Sequence, residues 1–202
     1  MVIILNGKVK NPRWTFHFAP SLLSRFMNRK LENHELNRLD VDSFKSSEKC
    51  QITVILDDVR SLSNVGSVFR TCDSFQVSQL ILCGITGRPP HREIQKTALG
   101  ATETVDWFHC ENIEDEIRRL KSEGKIILSV EQSEKSILPD EIGEFDGHLC
   151  LVFGNEVNGV SQNVINLSDA VVEIPQSGTK HSLNVAVAAG IVVWEAYKVL
   201  KN

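Results

Sequence analysis

The 202-residue sequence contains no apolar run approaching the roughly 18 to 20 residues needed to cross a bilayer. Its opening, MVIILNGKVKNPRW, has a four-residue apolar run after Met1 and then turns polar. A secretory leader needs a basic start and a longer apolar stretch, so a cytoplasmic protein is expected. Cysteine is sparse and odd in number: Cys50, Cys72, Cys83, Cys110 and Cys150, with no CxxC spacing. That argues against a disulfide framework and a zinc site, and no metal is expected. Cys83 and Cys150 sit inside apolar strand-like runs, where a free thiol behaves as a small hydrophobe. There is no GxGxxG after the first strand, no GxxxxGK[ST], no HExxH and no GxSxG. The usual fingerprints of dinucleotide binding, P-loop chemistry, zinc proteolysis and serine hydrolysis are therefore missing. No internal repeat or low-complexity tract occurs.

What is present is ordinary globular composition, 42% hydrophobic and 24% charged. The length suits one domain with a short appendage. The net charge of −4 argues weakly against nucleic acid as a partner, but it is unevenly spread. Residues 1–45 hold eight Lys or Arg and four acids, so that segment is +4 and the remainder −8. Such asymmetry suits a local phosphate-binding face, although charge alone favours a solvated helix surface.

Residues 20–39 read as a partly amphipathic helix weakened by Asn28 and Asn33, and 40–51 as a polar connector. From residue 52 strands alternate with helices. Strands are expected at 52–57, 79–83, 104–108, 125–130, 148–153 and 170–174, and helices at 64–75, 91–99, 111–124, 161–167 and 182–200. The last helix, SLNVAVAAGIVVWEAYKVL, is nearly all apolar and must be buried in a core or against another subunit. This alternation implies an α/β fold with a mostly parallel sheet and helices on both faces. In such sheets ligands bind outside the carboxyl ends of the strands.

Three strand-end loops carry an unusual polar set. In NVGSVFR, 64–70, Asn64 and Gly66 are read as opening a helix whose free N–H groups can meet an anion, with Arg70 further along. A capped helix with a surface arginine fits the same residues. In GNEVNG, 154–159, Gly154 and Gly159 bracket Glu156 directly after a buried strand, where backbone can approach a ligand. A turn with an exposed carboxylate is the plainer account. In IPQSGTKHSLN, 174–184, Ser182 is read as the cap of the last helix, while Asn184 inside that apolar helix needs a polar partner.

Taken together, these segments resemble the three signature motifs of the SpoU (TrmH-like) family of RNA 2′-O-ribose methyltransferases, in the SPOUT superfamily. The matches are NVGSVFRTCD (64–73), LVFGNEVNGVS (151–161) and IPQSGTKHSLNVAVAAG (174–190), and GITGRPPHREIQKTALGA (84–101) also looks like a family element. The resemblance implies a SPOUT methyltransferase domain over 49–202, with a C-terminal deep trefoil knot, and a helical extension over 1–48 available for RNA contact. It implies S-adenosylmethionine as cofactor, held near Ser129, Val130, Glu131, Gly154, Ile174 and Leu183, and a homodimer. It assigns catalysis to Arg70, Asn64, Glu156, Ser182 and Asn184. A guanidinium stays protonated, so Arg70 is read as stabilising the forming alkoxide and the adjacent phosphate rather than as a base. Only about 45 residues precede the first strand, fewer than a separate RNA-binding domain of many relatives. RNA would then be gripped by the basic N-terminal segment, by Arg88, Arg92 and Lys96, or by another chain; tRNA is favoured over rRNA. A non-catalytic RNA-binding protein on the same fold is the alternative, and a nucleotide-dependent oxidoreductase lacks its glycine fingerprint.

Overall fold

A computed structural model describes residues 29–201, and the chain divides into two units, residues 1–39 and 40–202. In the first, the described residues form one 3₁₀ turn, Asn33–Glu35. Arg29 steadies it by donating to both Glu35 carboxylate oxygens at 2.9 and 2.7 Å. The helix expected over 20–39 is thus absent from its described part, and residues 20–28 lie outside the described residues.

The second unit begins with α1 (Val41–Ser46), capped by Asp40, whose carboxylate accepts the Ser43 N–H at 2.8 Å. Then follow β1 (Cys50–Asp57), α2 (Leu62–Ser74), β2 (Val77–Cys83), α3 (Arg92–Ala98), α4 (Ala101–Thr104) and β3 (Trp107–Cys110). After these come α5 (Ile113–Ser122), β4 (Ile126–Val130), a 3₁₀ segment (Pro139–Glu144), β5 (Leu149–Phe153), α6 (Gln162–Leu167), β6 (Ala170–Val172) and α7 (Val185–Lys201).

The six strands form one parallel sheet in the order β3-β2-β1-β5-β4-β6. The β-branched strands bury both faces, as parallel strands covered by helices must. One face packs Ile52, Val54, Leu56, Leu80, Leu82, Leu149 and Leu151 against α2, α3 and α7. The other packs Ile55, Ile81, Ile127, Cys150 and Val152 against α5 and α6 through Ile117, Leu120 and Val164. The expected parallel α/β architecture is therefore present.

Two details differ from expectation. The strand expected at 104–108 starts at Trp107, because 101–104 form a helical turn in which the Thr104 hydroxyl bonds the Asp73 carboxylate at 2.5 Å. The long apolar helix is buried along one side only, by Val185, Ala189, Val192, Val193 and Ala196; Val187 and Trp194 stay 51% and 44% exposed.

The chain order reverses between β1 and β5, which lie side by side although three strands and their helices separate them in sequence. Such a switch point opens a crevice at the strands' carboxyl ends. The β4–β5 connection runs beside β6. Ile137 donates its N–H to Val171 O at 2.8 Å and accepts the Glu173 N–H at 2.9 Å, and the 3₁₀ segment that follows packs on α7. Among the described residues no helix is long and apolar enough to cross a membrane, and no group of His, Cys, Asp and Glu is arranged to hold a metal ion.

Candidate active site

Helix α2 begins at Leu62 with Ser61 as its N-cap, not at Asn64. Its start is occupied by an anion from the protein itself. The Glu156 carboxylate accepts the backbone N–H groups of Arg60 and Ser61, each at 3.0 Å, and the Asn64 side-chain amide at 3.1 Å. Desolvation opposes ionisation of Glu156, but the N–H groups of Arg60, of Glu156 itself and of Ser61, with the Asn64 amide, outweigh it. Together they hold the carboxyl below its ordinary range.

Asn64 continues the network, since its carbonyl oxygen accepts from the Asn184 side-chain amide at 3.1 Å. Asn184 is the residue that caps α7: its side-chain oxygen accepts the N–H groups of Ala186 and Val187 at 2.9 and 3.3 Å. The cap assigned to Ser182 is therefore corrected to Asn184, because the helix starts at Val185. The partner that Asn184 required is Asn64. Three loops far apart in sequence are thus tied by two asparagines and one glutamate.

Gly66 does not open the helix. It lies buried within α2, where a Cβ would stand 2.1 Å from Thr97 Oγ1 and 2.3 Å from Ile94 O. Its missing side chain lets α3 close on α2, and Thr97 donates its hydroxyl to Ser63 O at 3.0 Å across that contact.

The turn after β5 is built by Asn155. Its amide donates to Asp58 O at 2.7 Å, and its carbonyl oxygen accepts the Val157 and Asn158 N–H groups at 2.8 and 3.2 Å. Asn155 and Gly159 then close an antiparallel bridge. A Cβ on Gly154 would lie 2.2 Å from Gly159 C and O, and one on Gly159, at φ +64°, would lie 1.9 Å from Glu131 Oε2. Both glycines are thus required by close approach. Glu131 holds the facing loop by accepting the Val160 N–H at 2.9 Å.

These loops enclose a cavity of about 510 Å³ at the carboxyl ends of β4, β5 and β6, within the range of roughly 300–1,000 Å³ usual for small-molecule sites. Val130, Glu131, Gly154, Ile174 and Leu183 line it, as do Glu156, Ser182 and Asn184. Ser129 does not: its side chain is buried and bonds the Ser168 hydroxyl at 2.7 Å. Asn64 reaches the cavity only through Glu156 and Asn184. Gly159 takes the close-approach position that the glycine-bounded GNEVNG implies. Gln132, whose amide donates to His181 O at 2.7 Å and tethers the last loop, leaves no signal in the sequence.

Arg70 is exposed and lies elsewhere. It lines a second depression of about 470 Å³ with Ser67, Thr71, Ser74, Phe75, Lys96, Thr97 and Leu99, and none of these residues lines the first cavity. Six residues of α-helix place Arg70 roughly 120° around α2 from Asn64.

The first cavity fits S-adenosylmethionine in size and chemistry. Val130, Phe153, Val172, Ile174, Leu183 and Ala188 give apolar wall, while Gln132, Gln176 and His181 give polar handles. The side-chain-free backbone at Gly154 and Gly159 supplies a close cradle.

Residues 51–194 match the SpoU rRNA Methylase family. The chain is 28% identical over 164 residues to a 23S rRNA (guanosine-2′-O-)-methyltransferase of Vibrio parahaemolyticus, covering 81% of this chain and 66% of that one. It is 30% identical over 151 residues to a tRNA (guanosine(18)-2′-O)-methyltransferase of Aquifex aeolicus, covering 73% and 69%. An AdoMet-bound rRNA methyltransferase from Sinorhizobium meliloti superposes with a TM-score of 0.70 at 30% identity, covering 75% of this chain and 57% of that one. The chain therefore spans about two thirds of the length of the curated relatives it matches.

Proposed function

The chain belongs to the SpoU rRNA Methylase family, and from that premise we propose that it transfers a methyl group from S-adenosylmethionine to a ribose 2′-hydroxyl of tRNA or rRNA. The observation that carries this reading is the Glu156–Asn64–Asn184 network at the rim of a cofactor-sized cavity. Val130, Glu131, Gly154, Ile174 and Leu183 would hold the cofactor. When bound, it supplies a methyl group activated by a sulfonium. The protein's tasks are then alignment of the ribose and stabilisation of charge developing on its oxygen. Glu156 accepts hydrogen bonds with both oxygens, so we assign it to fixing the loops rather than to removing a proton. Asn184 and Asn64 pass that order to the rim, where Ser182 is free to meet the ribose. Arg70, a permanent cation that does not line the cofactor cavity, would stabilise the alkoxide and the adjacent phosphate of an RNA strand that spans both depressions.

We also propose the trefoil threading of residues 173–184, which the flanking β4–β5 connection supports. A homodimer that covers Val187 and Trp194 and a cytoplasmic location complete the reading. So does a domain division into 1–48 and 49–202. tRNA is the favoured substrate. Arg88, Arg92 and Lys96 are exposed and available to it.

The separation of Arg70 from the cofactor cavity favours one other reading, a non-catalytic RNA binder on the same fold. Titration calorimetry with S-adenosylmethionine and with NAD, followed by labelled-methyl transfer to unmodified tRNA and rRNA, separates them. Cofactor binding with transfer supports the enzyme. Cofactor or RNA binding without transfer supports the binder.

A further inference from the structure

All five thiols are free, and two of them are placed as partners. Cys83 ends β2 and Cys110 ends β3, and they stand opposite each other in the parallel pairing of these strands. Both lie on the sheet face covered by α5, where Cys83 belongs to the apolar core and Cys110 packs against it. Neighbouring strands run about 4.7–4.9 Å apart, inside the Cα separation of about 4.4–6.8 Å that a disulfide spans. No other two cysteines are strand partners: Cys50 faces Val77, Cys150 faces Thr53 and Ile127, and Cys72 lies on α2.

The two thiols differ as an attacking and a resolving cysteine differ. Cys110 is partly exposed on the edge strand of the sheet, while Cys83 is buried. Cys83 donates its thiol hydrogen to the Cys110 sulfur, which lowers the Cys110 thiol and raises that of Cys83. On Cys110 this outweighs burial and the nearby Glu116 and Asp57 carboxylates.

The backbone joins this pair to the cofactor cavity. Asp58 donates its N–H to Cys83 O at 3.3 Å, and Gly84 donates to Cys110 O at 3.0 Å. The Asp58 carboxylate accepts the Ile85 N–H at 2.9 Å, and its carbonyl accepts the Asn155 amide at 2.7 Å. Asn155 builds the turn that borders the cavity. The contact has no slack, since a Cβ on Gly84 would stand 2.1 Å from the Asp58 carboxylate.

We propose that Cys83 and Cys110 are a redox-sensitive pair that hydrogen peroxide closes to a disulfide, disturbing the cofactor turn through Asp58. The Cys110 sulfur attacks one peroxide oxygen, the O–O bond breaks, and Cys110 becomes a sulfenic acid as one water leaves. The Cys83 sulfur then attacks the Cys110 sulfur, and the sulfenic hydroxyl departs with the Cys83 thiol proton as a second water. Two thiols lose two electrons in all, and the peroxide is reduced to two waters. The disulfide is independent of the functional reading; its effect on cofactor binding rests on the cavity's assignment above.

The test treats the full chain with a small excess of hydrogen peroxide, blocks remaining thiols by alkylation, and maps disulfides by mass spectrometry of unreduced digests. S-adenosylmethionine affinity is titrated before oxidation, after it, and after reduction with dithiothreitol, for the wild type and Cys110→Ser. A Cys83–Cys110 crosslinked peptide is expected in the wild type, with cofactor affinity several-fold lower after oxidation and restored by reduction. Cys110→Ser should show neither change, and the wild-type comparison stands without it. Absence of the crosslink, with Cys110 found as a sulfinic acid instead, would overturn the pair. A crosslink that leaves cofactor affinity unchanged would overturn its link to the cavity. A crosslink in a chain that binds no S-adenosylmethionine even when reduced would support the pair and overturn the cavity's assignment.

Discussion

Replacing Glu156 with Gln tests whether that carboxylate organises the site or reacts in it. In the wild type one oxygen accepts from Arg60 N–H and the other from Ser61 N–H and the Asn64 amide. A Gln amide has one acceptor and one donor end, so its NH₂ must face an N–H whichever way it turns. At least one hydrogen bond is lost and a donor meets a donor. The side chain is exposed, so water recovers part of the loss, and the cost resembles removal of a helix cap, about 1–2 kcal/mol. For a chain of this size that lowers the unfolding midpoint by about 3–6 °C, measurable by calorimetry at neutral pH. Because the folded carboxyl is held below its ordinary range, its contribution is present above the unfolded value, about 4.3. It is lost as pH falls through the lower folded value. Gln does not titrate, so the gap between the two proteins should close in acid. Cofactor affinity and turnover should fall together, since Gly154 and Asn184 border the same cavity. An unchanged midpoint and unchanged cofactor affinity with turnover abolished would refute this account and make Glu156 a direct participant.

Gly66→Ala should destabilise the protein by about 2–3 kcal/mol through overpacking, because its Cβ would meet the Ile94 carbonyl at 2.3 Å; a denaturant titration checks this, and a neutral effect would contradict the helix contact. Asp57 is nearly buried, and desolvation with the neighbouring Asp58 charge raises its carboxyl to about 6. A raised folded value means stability is full below about 4 and is lost as pH rises through about 6. Asp57→Asn should therefore be more stable at pH 7 by up to about 3 kcal/mol and equal near pH 4, read from paired unfolding curves. Cys50, Cys72, Cys83 and Cys150 are buried, whereas Cys110 is partly exposed and its thiol is lowered by a hydrogen bond from Cys83. A thiol reagent followed by mass spectrometry should therefore label Cys110 alone in the folded protein.

Much of the fold was legible because a parallel sheet buries both strand faces. Runs such as ITVILD and HLCLVF announce themselves without alternation, and Ser161 caps α6 as its position implies. What stayed hidden was set by partners distant in sequence. Asn64 has the composition of a helix cap, but Ser61 caps the helix and Asn64 bridges Glu156 to Asn184. Ser182 likewise yields its role to Asn184, whose own partner lies 120 residues away. Gly66 reads as a helix-opening glycine because nothing local reveals a helix whose Ile94 carbonyl stands 2.3 Å from its absent Cβ. The loops that close the cofactor cavity could be named from motifs. The placement of Arg70 on the other side of α2, beside Lys96, required the fold.

Ribose methylation supported by Arg70 is read most directly from methyl transfer from labelled S-adenosylmethionine to unmodified tRNA and rRNA, with the product digested to nucleosides. Label is expected in a 2′-O-methylated nucleoside with the wild type, with near-complete loss in Arg70→Ala and equal cofactor affinity in both. Label on a base, or undiminished transfer by Arg70→Ala, would contradict it.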